Sequence, residues 1–217
     1  MANADETPQT AATMGKGRME AFSDGVFAIA ITLLVLDLAI RPPGSPTDEF
    51  FRAWPSYVAY VVSFLTIGGA WIAHHSLTDR MERVDPIFLR LNLIFLLAIS
   101  FLPFPTRLVA EALERTTDWQ RMAVTVYGIT ILVVRMMFVV LVSYSRREHL
   151  RQERVDDPDL REARRKSGVT LVGYAVTILV GLLLPIVAIV FYFALAVFLV
   201  VPFKTVAREL FKRAPST

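Results

Sequence analysis

The sequence has no cysteine, which excludes disulfides, thiolate metal sites and cysteine nucleophiles. It also lacks an HExxH helix, a glycine-rich phosphate loop and any nucleophile–base–orienter set. Nothing in it therefore points to an enzyme or to a bound cofactor. A formal charge of only +3 over 217 residues, with acids interleaved among the bases, leaves no electrostatic footprint for nucleic acid. Apolar surface is what the chain has in quantity. Hydrophobic residues make up 54% of it, above the roughly 45–50% usual for soluble domains, and its mean hydropathy is +0.50. They fall into long blocks separated by short charged stretches, the pattern of a multi-span membrane protein whose partner is the lipid bilayer.

A bilayer core needs about 20 apolar residues per helix. Six candidate spans follow: 19–40, 54–75, 86–108, 121–144, 169–184 and 186–203. Pro42, Pro43 and Pro46 stop the first, which reads as a retained span because no small-residue cleavage site follows it. Pro86 opens the third near its first turn, where proline is tolerated, and Pro103 and Pro105 kink or end it. Pro185 divides an apolar block too long for one span; a single kinked helix is the competing reading there. Residues 1–17 are small and polar and read as a disordered tail. Residues 18–203 form the transmembrane domain, with a charged linker at 145–168, and 204–217 form a basic tail.

Basic residues fix the orientation, because they concentrate in cytoplasmic loops. The linker carries Arg146, Arg147, Arg151, Arg154, Arg161, Arg164, Arg165 and Lys166. Lys16 and Arg18 precede the first span, Arg80 and Arg83 separate the second from the third, and Lys204, Arg208, Lys212 and Arg213 lie in the tail. The other side has Arg41, Arg52, Arg107, Arg115 and Arg121. Both termini are thus expected in the cytoplasm, with the protein in the cell's inner (plasma) membrane. The fold class is all-α.

The first span, RMEAFSDGVFAIAITLLVLDLAI from Arg18, is unlike a simple lipid anchor. It holds Arg18, Ser23, Asp24, Thr32 and Asp37, and ionisable groups inside a span are costly unless they face protein or water. At about 100° per residue, Ile29, Leu33 and Leu36 share a narrow stripe bordered by Thr32. Asp24 lies roughly 140° from Ile29 and points toward neighbouring helices. On spacing alone, such a stripe is more often ordinary packing than a pore lining.

The run Arg18-x-x-x-Phe22-Ser23-Asp24, continuing through Gly25 to Leu34, closely resembles the first-helix signature of the transmembrane protein 175 family, which comprises the lysosomal potassium channel and its bacterial homologues. The second span, with Trp71-x-x-His74, also fits. The resemblance implies a homotetramer of six-helix chains, with four copies of the first helix around a central pore. It implies a constriction at Ile29, with further apolar layers at Leu33 and Leu36, and a role in ion coordination for Thr32. Arg18, Phe22, Ser23, Asp24, Trp71 and His74 would form a structural polar network. The permeating ion would be K+, with Na+ weaker, and there is no TVGYG-type filter. Asp37 would add a ring of carboxylates at the external mouth that concentrates cations.

Three features invite other readings. Thr170-Leu171-Val172-Gly173-Tyr174-Ala175 superficially resembles a potassium filter but has an inserted Leu, lacks the second glycine and opens an apolar span. His74 and His75 are adjacent, so on a helix they point about 100° apart and make a poor metal pair; no metal is expected beyond the permeating ions. Arg135 stands alone mid-span with no obvious partner. The alternative function is an ion-coupled secondary transporter, a class marked by inverted repeats and broken helices.

Overall fold

A computed structural model of the chain describes residues 9–38, 45–147 and 158–201. Among these the architecture is helical: α1 (Gln9–Leu33), α2 (Pro46–Arg52), α3 (Trp54–Asp79), α4 (Pro86–Phe101), α5 (Pro103–Ala112), α6 (Thr117–Arg147), α7 (Pro158–Leu183) and α8 (Pro185–Val200). A 3-10 turn, Leu34–Asp37, tightens the end of α1. Helix α1 starts at Gln9, inside the stretch that composition reads as a tail; Ala11, Ala12 and Met14 are good helix formers with no proline among them. The remainder of that stretch, residues 148–157 of the charged linker and the basic tail lie outside the described residues.

Among the described residues, four helical segments are long and apolar enough to cross a membrane: Gly15–Leu36, Trp54–Asp79, Pro86–Ala112 and Thr117–Arg146. Two shorter apolar helices, Gly168–Leu183 and Pro185–Val200, complete the set. The chain is a multi-pass membrane protein.

Prolines place the helix starts. Pro46, Pro86 and Pro185 each stand in the first turn, where their missing N–H costs nothing. Asp85 caps α4 by accepting the Phe88 N–H at 2.7 Å, and Tyr144 of α6 donates to its other oxygen at 2.5 Å. Two internal prolines act differently. Leu102 keeps helical angles ahead of Pro103 (φ −56°, ψ −36°), and the Thr106 N–H and hydroxyl both bond its carbonyl, at 3.2 and 2.8 Å. The third span is therefore kinked but continuous. Leu184 leaves the helix ahead of Pro185 (φ −131°, ψ 77°), as proline usually forces on its predecessor. The chain turns back there: Gly173 faces Leu195 and Gly181 faces Ala188, the pairing of an antiparallel hairpin. The single kinked helix is excluded.

Helix α1 lies against α3 and α4, α4 against α6, and the α7–α8 hairpin against α6 and α3. The core runs through Phe27, Phe95, Ile99, Leu102, Tyr127, Ile131 and Tyr192. Within lipid, close packing rather than water exclusion holds such helices together. Gly128 shows how tight the α6 seam is. A Cβ there would overlap the Tyr192 hydroxyl and stand 2.6 Å from Ile178 Cγ1. Tyr192 Oη in turn donates to the Val124 carbonyl at 3.2 Å.

Candidate functional site

Helix α1 has two faces. Ser23, Phe27, Ala30 and, at the start of the 3-10 turn, Leu34 recur at spacings of four, three and four and are all buried; α1 packs on α3 and α4, and the turn on α3 and α5. The opposite face carries the expected stripe. Ile29 is 61% exposed, Leu33 42% and Leu36 70%, so the rest of the subunit leaves them uncovered. Thr32 borders them and is exposed; its hydroxyl donates to the Ile29 carbonyl at 2.9 Å. Asp37 ends the 3-10 turn one residue beyond Leu36.

The buried face is held by a polar clamp. Ser23 Oγ donates to the Met19 carbonyl at 2.8 Å and accepts the Asn92 Nδ2 hydrogen at 3.0 Å. Asn92 Oδ1 then meets His74 Nε2 at 2.8 Å. The directions follow one from another. Ser23 has one proton and gives it to Met19, so Asn92 must turn its amide nitrogen toward Ser23 and its oxygen toward His74. His74 is thereby fixed as the donor, with its proton on Nε2. Ser23, His74 and Asn92 are all buried, and the His74 ring stacks on Phe95 with centroids 5.5 Å apart and Phe27 beside it.

A second tie runs along the rim. Trp71 Nε1–H donates to Asp24 Oδ1 at 2.9 Å, and His75 stacks on the Trp71 indole. The two histidines thus face different surroundings, His74 inward and His75 outward. Lys16 reaches the Asp79 carbonyl at 3.4 Å and Glu20 at 3.7 Å, fastening the start of α1 to the end of α3.

The structure links Ser23 to His74 through Asn92, and Asp24 to Trp71. It does not bring Phe22 or Arg18 to them. Phe22 lies on the uncovered face, and Arg18 is exposed and bonds to no described residue in this chain. The residue missed in the sequence is Asn92, which joins His74 to Ser23. Its signal was there: a lone asparagine in an apolar span needs a partner.

The filter-like run 170–175 is helical, within α7, and Tyr174 is buried with its ring stacked on Tyr192 of α8. An extended ion filter is not what this segment forms. Among the described residues no three His, Asp or Glu side chains converge as a metal site.

Comparison with known proteins places this geometry. The family described as endosomal/lysosomal potassium channel TMEM175 matches residues 18–103, which include all of the clamp. A potassium channel of Streptomyces collinus is 41% identical over 166 residues, covering 75% of this chain and 80% of that one. A potassium channel of a Chryseobacterium species is 31% identical over 200 residues, covering 91% and 98%. The crystal structure of a lysosomal potassium-selective channel TMEM175 homolog from Chamaesiphon minutus superimposes with a TM-score of 0.73 at 30% identity, over 86% of this chain and 96% of that one. The chain belongs to the TMEM175 family of ion channels.

Proposed function

We propose that the protein is a passive, potassium-preferring cation channel of the bacterial inner membrane, a homotetramer whose pore is lined by four copies of α1. Each subunit has six spans with both ends in the cytoplasm. The observation that carries this reading is the division of α1. One face is clamped by buried hydrogen bonds, while Ile29, Leu33 and Leu36 stay uncovered by their own chain. A helix that must present a stripe to a central axis needs that combination. The relatives named as potassium channels support the same assignment.

In this arrangement Ile29 to Leu36 form a hydrophobic constriction about 10 Å long. Methyl groups give an ion nothing in place of its hydration water, so a narrow ring dewets and blocks, and a slightly wider one conducts. Selectivity then rests on pore width, dehydration cost and the Thr32 hydroxyl. That hydroxyl donates its proton to the Ile29 carbonyl, which leaves its lone pairs for a cation. K+, more weakly hydrated than Na+, passes more readily. Asp37 rings the external mouth and raises the local cation concentration.

Reconstitution tests the reading. In liposomes an imposed potassium gradient should drive dissipative flux that needs no second ion, and the purified protein should count four subunits in detergent. Strict coupling of potassium movement to protons or sodium would establish a transporter instead.

A further inference from the structure

The third span bends at Leu102–Pro103, where α4 meets α5. Pro103 and Pro105 each take one N–H out of the helix ladder there. Beside the bend runs a buried chain of hydroxyls drawn from three helices. Ser63 Oγ of α3 lies 2.7 Å from Thr106 Oγ1 of α5 and 3.0 Å from Tyr127 Oη of α6. The Thr106 hydroxyl donates to the Leu102 carbonyl, so it must accept from Ser63. Ser63, with its one proton on Thr106, accepts from Tyr127. The chain therefore runs from Tyr127 through Ser63 and Thr106 to Leu102, and all four residues are buried.

Helix α5 connects this chain to the pore-lining helix. It packs on α3 and α6, and also on α1 and the 3-10 turn Leu34–Asp37. That turn carries Leu36, the outermost residue of the uncovered stripe. A displacement of α5 is thus passed to the outer end of α1. Packed helices shift only where there is room, and there is room here. A cavity of about 10 Å³ separates Thr106 and Val109 of α5 from Tyr127 of α6 and from Ile189 and Tyr192 of α8. That is the space of about one water molecule. It is small, but so is the difference between a ring that dewets and one that conducts.

We propose that Ser63, Thr106 and Tyr127 are positioning residues for the outer pore layer. Their hydroxyl chain latches α5 at the proline hinge, and its release lets α5 move into the cavity and draw Leu36 away from the axis. The inference rests on the channel reading above. Few residues of a hinge need change conformation, and the hydroxyls tie the hinge to the two helices, α3 and α6, that stay still.

Single-channel recording of the full-length protein in planar bilayers tests it, with potassium as the only permeant cation. Tyr127→Phe removes one oxygen and leaves every remaining hydroxyl proton with its acceptor. It should raise open probability about fivefold, as for one neutral hydrogen bond made in only one state. Thr106→Val should do the same, and Thr106→Ser, which keeps the hydroxyl, should stay at the wild-type value. Val62→Ile adds a methylene to the cavity wall on α3 and should lower open probability. Unitary conductance should be unchanged in all four, because none of these side chains belongs to the stripe. Wild-type open probability in both Tyr127→Phe and Thr106→Val would show a merely structural chain and overturn the latch. So would a shift in the same direction from Val62→Ile as from Tyr127→Phe. Absence of potassium current from the wild-type protein would instead overturn the channel reading, and the latch with it.

Discussion

Asn92 joins two residues that the family motif already supplies, Ser23 on α1 and His74 on α3. It does so from α4, 69 positions from Ser23. Ser23, Asp24, Trp71 and His74 were legible because they fall in local patterns: a motif on one helix and a Trp-x-x-His pair on the next. Asn92 carries only the weaker signal of a polar residue among apolar ones, and no spacing tells which helix it faces. Arg18 and Phe22 belong to the same motif yet bond to no described residue of their own subunit, since membership of a motif does not say which subunit a side chain serves. The clamp makes a sharp prediction. Asn92→Leu leaves the His74 Nε2–H without an acceptor and removes the donor to Ser23. It should lower stability by about 1–3 kcal/mol, the cost of orphaned buried groups, seen as a fall in unfolding temperature in detergent. Asn92→Asp keeps the acceptor toward His74 and should lose less. Equal losses from the two substitutions would mean that Asn92 fills space and no more.

At the level of elements, the apolar helices were largely readable because 20-residue apolar blocks have few alternatives in a bilayer. The division at Pro185 was readable too, whereas the sequence left open whether Pro103 kinks or ends the third span. Ahead of Pro103 the chain keeps helical angles at Leu102, and the Thr106 hydroxyl bonds back to the Leu102 carbonyl, a contact that bends a helix without ending it. Ahead of Pro185 no such hydroxyl follows, and the small faces of Gly173 and Gly181 reward a fold-back onto α8. The difference is tertiary. It also bears on topology. If the chain has six spans with cytoplasmic ends, the turn at Leu184 faces outward. The protein's lack of cysteine makes this easy to check, since Leu184→Cys introduces a single thiol. A membrane-impermeant maleimide should label it in intact cells, and the thiol of Arg83→Cys should stay unlabelled until the cells are opened. The reverse pattern would invert the orientation.

For the whole molecule, the question is what covers the stripe of Ile29, Leu33 and Leu36. A single subunit does not, and lipid and a water-filled axis place different demands on it. A lipid-facing stripe tolerates any residue of similar polarity and gives an aqueous ion no access. A stripe around a four-fold axis brings four copies of each side chain within a few ångströms, so one substitution changes a ring. Ile29→Cys separates the two. In the tetramer it sets four thiols around the path at the narrowest layer, a soft ligand set that Ag+ or Cd2+ binds tightly. Potassium current through this variant in planar bilayers should be blocked by either ion and restored by a chelator or excess thiol, while wild-type current, having no thiol to bind them, should be unaffected. Because the same side chain also sets the dewetting barrier, Ile29→Asn should raise conductance and narrow the preference for K+ over Na+. An Ile29→Cys channel that conducts normally and ignores Ag+ would put the stripe in lipid, and the pore would have to be sought along another helix.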